Sequence, residues 1–305
     1  MERTTGTPVI KGEDSPHPPE ILDSFPKFLQ FWEHTSGLEL SAQIEAWATE
    51  YLAEYPELLE MQVADYQEQS LSWREIAAQR IFPYLPEHLP AMAEARGKLL
   101  KLLPDICQLT SERLGFNFPV TFLIYVGIGC GAGWAASYSG SPAVLFGLEN
   151  IAELGWTTQE ALSGLTVLEL SHLAHHHWRR EAGLELGEGP WWQLYEEGFA
   201  QACEVLITGT WHETKGNVSQ DWLKACRENK SILAEEFLSR VNQGQEFRDF
   251  FGSWYDVAGI PQAGYFLGSQ IMRPLIEQEG AEQTALLVDL EAALRPALEV
   301  MASSD

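Results

Sequence analysis

Glu169 and His172 stand three residues apart, and Glu197 follows twenty-five residues after the histidine. On a helix the first two share a face, and a second helix would bring Glu197 up to meet them. An imidazole flanked by carboxylates from two elements suits a two-His-one-Glu zinc hydrolase. There the histidines and one glutamate hold the metal, and another glutamate takes a proton from the bound water. A second imidazole is available at His176, four residues after His172 within His175-His176-His177. A plainer account exists for each residue alone: a buried ion pair for Glu169 and His172, partly exposed cations near a helix end for the histidine run, and first-turn acids for Glu196 and Glu197.

These residues need helices to position them. Thr157 to Arg180 reads as one helix, with Thr157 and Glu160 spaced as a capping box and an apolar stripe of Leu162, Leu165, Leu168 and Leu173. A loop rich in glycine and acid, EAGLELGEGP, separates it from a second helix expected from about Trp192 to Thr208. Upstream, PVTFLIYVG and SPAVLFG are β-branched and aromatic runs that predict two strands. The glycine-rich GIGCGAGWAASYSG between them, with Glu149 twenty residues after Gly129, imitates a dinucleotide fingerprint. Pro142 arrives too soon for the helix that fingerprint requires, so the glycines are read as a close backbone approach instead.

Taken together, ELSHLAHHHW, YEEGFAQACE and AGYFLGSQ, preceded by GAGWAASYSGSPAVLFGLENIAEL, resemble zinc-dependent proteases of the gluzincin type. In such proteins an H-E-x-x-H helix follows a strand pair, a later Glu lies in an E-G-x-A setting, and a Gly-Tyr-x-x-Gly helix comes near the end. The resemblance covers roughly residues 118 to 275. It implies a zinc site with Glu169 as general base, His172 and Glu197 as ligands, and Tyr265 as a hydrogen-bond donor to an oxyanion. The first histidine of the motif falls on Leu168, which cannot ligate. His176 is the substitute ligand in a register-shifted site. The alternative is a catalytically inactive relative that binds a protein partner. On this alignment, Leu168→His should raise zinc affinity.

Composition sets the wider frame. The 305 residues carry 19 Lys and Arg against 44 Asp and Glu, a net charge of −25. That charge repels phosphate and argues against nucleic-acid or anionic-membrane partners; a peptide or small-molecule substrate is expected of an active enzyme. Residues 1–18 read as a loose tail, 19–114 as a helical layer with Pro104 breaking or kinking its last helix, and 115–305 as the metallopeptidase-like region. No charge falls between Arg113 and Glu149, but seven glycines and two prolines there are wrong for a spanning helix. Four cysteines with no CxxC spacing, few for this length, and no visible signal peptide fit a reducing cytoplasm. The expected fold is α+β and mainly helical.

Overall fold

A computed structural model describes residues 18–209, 220–252 and 255–304. Strand β1 (Glu20–Asp23) leads into helices α1 (Phe25–Thr35), α2 (Leu40–Ala46), α3 (Pro56–Glu68), α4 (Trp73–Ile76) and the long α5 (Leu85–Leu114). Three strands follow: β2 (Thr121–Tyr125), β3 (Trp134–Tyr138) and β4 (Ser141–Gly147). Then come α6 (Leu148–Glu153), α7 (Gln159–Glu181), α8 (Pro190–Thr208), α9 (Gln220–Glu228) and α10 (Lys230–Gln243). A two-residue pair, β5 (Asp256–Val257) and β6 (Ile260–Pro261), precedes α11 (Ala263–Glu279), α12 (Ala281–Ala285) and α13 (Leu290–Ala302). The architecture is α+β and mainly helical, with one small mixed sheet. No helix among the described residues is long and apolar enough to cross a membrane.

The sheet runs β1-β2-β4-β3, with β1, β2 and β4 parallel and β3 antiparallel at the edge. All five residues of β2 are buried, as expected of a central strand covered on both faces. β3 and β4 form a hairpin whose two turn residues, Ser139 and Gly140, both have positive φ, the left-handed pair that matches strand twist. The main-chain N–H of Ser139 is held by the Glu57 carboxylate at 2.9 Å.

Several elements depart from the sequence reading. β1 lies within a stretch expected to be helical, and its register, Glu20 opposite Thr121 through Asp23 opposite Ile124, ties the N-terminal layer into the sheet. β3 lies inside the segment that the residue pattern read as a glycine-rich linker, where the resemblance implied the first strand of a pair. The α7 cap is Thr158, whose side chain accepts from Ala161 N, rather than Thr157. Pro90 and Pro104 sit within α5 without ending it. Of the expected N-terminal tail, residues 1–17 lie outside the described residues.

The N-terminal helices grip the chain where it leaves β2. Trp47 Nε1 donates to Val126 O at 3.1 Å and the Tyr66 hydroxyl to Ile128 O at 2.8 Å. Gln62 Oε1 accepts from Ile128 N at 3.1 Å. The buried Glu149 accepts from Gly127 N at 2.7 Å and Gly129 N at 3.1 Å. Glu149 therefore does lie opposite these glycines, but its partners are the loop's own amides. The loop, so fixed, passes over α7: a Cβ on Gly133 would lie 3.1 Å from Glu169 Cγ and 2.9 Å from Leu165 Cδ1.

Candidate metal centre

α7 and α8 pack side by side, and α8 packs in turn on α11. The second contact is backbone to backbone: a Cβ on Gly198 would fall 2.5 Å from Gly268 Cα. Glycine at both positions lets the two helices approach to a distance that any side chain would forbid. The faces brought together carry Glu169, His172 and His176 from α7, Glu196 and Glu197 from α8, and Tyr265 from α11.

Three of these form a compact donor group. His172, His176 and Glu196 each offer an atom, all within 4.8 Å of one another. His176 Nε2 meets Glu196 Oε1 at 2.5 Å. The other oxygen of Glu196 accepts from Trp192 Nε1 at 2.7 Å, one turn earlier on α8. Glu197, the carboxylate expected as a ligand, lies with Oε2 3.6 Å from His172 Nε2, outside the group of three. Glu197 thus stays beside His172, while its neighbour Glu196 is the carboxylate that meets His176. Successive helix positions differ by about 100°, so only the α7–α8 contact decides which imidazole each of the two meets.

Two imidazoles and a carboxylate are a donor set that suits zinc. Three ligand atoms about 2.1 Å from one ion sit roughly 3.4 Å apart. Filling the site would thus move Glu196 and His176 apart by about 1 Å. The Trp192 indole supplies the kind of outer hydrogen bond that holds a ligating carboxylate in place.

The electrostatics favour a proton where a cation would bind. Burial works against a charge on His172, yet the carboxylates of Glu197, Glu169 and Glu196 outweigh it and push its pKa up to about 9. A metal must displace that proton. Burial, together with the Glu197 and Glu169 charges, holds Tyr265 well above the ordinary phenol range, and its hydroxyl hydrogen-bonds to Glu197. Tyr265 remains a donor at any ordinary pH, but its acceptor is Glu197.

The histidine run splits three ways. His176 joins the donor group. His177 packs on Phe118 with ring centroids 4.5 Å apart. His175 is fully buried among Trp192, Tyr195 and Phe199, with neither ring nitrogen hydrogen-bonded. Burial, reinforced by the His176, His172 and Arg179 charges, drops its pKa well below the usual histidine value. Leu168, one turn before His172, is buried. The sequon at Asn217-Val218-Ser219 lies outside the described residues.

Sequence reasoning placed Glu169, His172, His176, Glu197 and Tyr265 in one neighbourhood, and the structure brings them together. It did not single out Glu196 as a member of the donor group or Trp192 as its hydrogen-bond partner, whose i, i+4 spacing was the available signal. Comparisons of the chain with family models, curated proteins and solved structures find no match.

Proposed function

We propose that this protein is a zinc-dependent hydrolase acting on peptides or small peptide-like substrates, with His172, His176 and Glu196 as metal ligands. The observation that carries the reading is the convergence of these three donors from two helices, with a hydrogen-bonded indole behind the carboxylate. The resemblance to gluzincin proteases supports it through the order of strand pair, motif helix, glutamate helix and Gly-Tyr-x-x-Gly helix. The ligand set departs from that pattern, shifted by one turn on α7 and one residue on α8.

Zinc, when bound, supplies a water made acidic enough to attack a carbonyl at neutral pH. The chain's own contributions are separable. Glu169, one turn from His172 and beneath the Gly133 backbone, takes the proton. Glu197, tied to His172 and Tyr265, holds the imidazole. Tyr265 donates to the developing oxyanion by leaving Glu197.

A second reading, an inactive relative that binds a partner, is favoured by Leu168 and by the way both imidazoles already pair with carboxylates. Elemental analysis separates the two readings. Protein purified without chelators or an affinity tag should carry about one zinc per chain. His176→Ala and Glu196→Gln should lose it and Glu169→Gln should keep it. No zinc after soaking would leave the second reading standing.

A further inference from the structure

A cleft of about 720 Å³ lies between α3, the 129–132 loop, α6 and a wall formed by Arg248, Phe251, Gly252 and Tyr255. None of the donor residues lines it, but three of its walls belong to segments that continue to residues of the donor site. Gln193 stands one helical turn before Glu196 and Glu197. Phe251 packs against Tyr265, with ring centroids 5.9 Å apart. The loop continues through Gly133 onto Glu169.

Three charged side chains line this cleft, and they are not equivalent. Glu153 is exposed at the rim. Arg248 is 79% exposed and lies 3.9 Å from the equally open Glu246, so water already serves it. Asp65 is half-buried, and its neighbours are the Gln69 amide at 3.4 Å and the Cys130 thiol, neither of which is a cation. Among the described residues no lysine, arginine or histidine is ion-paired with it. A carboxylate held partly away from water with no counter-charge beside it is open to a cationic partner. Its pKa is raised by that burial. The rest of the cleft is apolar or neutral, with Tyr66, Leu154, Phe251 and Tyr255 as broad contact surface, and the chain's negative field draws cations towards it.

We infer that this cleft is the substrate-binding site and that Asp65 holds a primary ammonium group of a peptide, either its free amino terminus or a lysine side chain. The inference deepens the peptide-hydrolase reading and rests on it for the peptide. Its test needs no metal and no turnover, so the two can fail separately.

Titration calorimetry on EDTA-treated full-length protein would use three C-terminally amidated peptides: Ala-Leu-Phe-Ala with a free amino terminus, its N-acetylated form, and N-acetyl-Ala-Lys-Phe-Ala. The peptide with the free terminus, the acetylated lysine peptide, or both should bind about tenfold more tightly than the acetylated lysine-free peptide. Which of the two does so identifies the ammonium. Asp65→Asn should bring that preference to within about twofold. Gln69→Lys, at the exposed position that caps the end of α3, supplies an internal cation beside Asp65 and should erase it likewise, leaving the carboxylate and the fold in place. Equal binding of all three peptides, no saturable binding of any, or a preference that survives both substitutions overturns the inference.

Discussion

Trp192 and Glu196 are joined at 2.7 Å, indole N–H to carboxylate, while the other oxygen of Glu196 meets His176. The carboxylate is thus held from behind, and its free lobe faces the imidazoles. Trp192→Phe keeps the ring packed on His175 and Arg179 but removes the donor. Zinc affinity, measured by competition with a chromophoric chelator, should fall ten- to a hundredfold. An unchanged affinity would mean that Glu196 does not ligate.

Glu169 and Glu197 should separate by phenotype. Glu169→Gln is expected to retain zinc and lose about 10²- to 10⁴-fold in kcat for peptide hydrolysis. Glu197→Gln removes the partner of His172 and should lower the pH at which half the zinc is released on acidification, because the imidazole then holds its proton less tightly. The two measurements are turnover and zinc release against pH.

Glu149 predicts a pH dependence of stability. Burial outweighs the hydrogen bonds from Gly127 and Gly129, and raises its pKa to about 7 from an ordinary 4.5. In the folded state the group binds a proton more tightly than in the unfolded chain. Its contribution is complete below about pH 4.5 and declines as pH rises to about 7, by about 2–4 kcal/mol. Chemical denaturation of the wild type and Glu149→Gln at matched pH should show this slope only in the wild type. Parallel curves would remove Glu149 from the account.

Gly198 tests the α8–α11 crossing. A Cβ there would lie 2.5 Å from Gly268 Cα, and backbone cannot rotate away as a side chain can. Gly198→Ala should cost about 1–3 kcal/mol. By wedging α8 away from α11 it should also weaken zinc binding, although residue 198 is no ligand. Denaturant titration and zinc affinity measured on the same sample would show both effects.

His175 is the converse case. Both its ring nitrogens are buried without hydrogen-bond partners, so Phe of similar shape should be tolerated. The metal-free His175→Phe protein is expected to be about 1–2 kcal/mol more stable than the wild type, read from its unfolding midpoint in urea.

Much of this arrangement was legible from periodicity. The buried runs at 121–125 and 141–147 and the two long helices through His172 and Glu197 follow from local pattern, because each buries a continuous face. What local pattern could not carry is relative placement. Glu196 and Glu197 are both acids on the same turn, and only the packing of α8 on α7 sets which histidine each one meets. β3 was hidden from the residue pattern, though not from the resemblance, by glycines that the loop needs for its approach to Glu169, and β1 was hidden by its brevity and its flanking prolines and acids.

That first strand has a consequence for the chain's behaviour among its own copies. β1 is four residues long, yet it occupies the outer side of β2, five consecutive buried residues with main-chain groups facing it. A fragment beginning at residue 115 would leave those amides and carbonyls open along an apolar edge, a template for a neighbouring chain to pair with. With β1 in place, the edge of the sheet is a strand of four half-buried or exposed residues in place of one of five buried ones, the shorter and less apolar kind of edge.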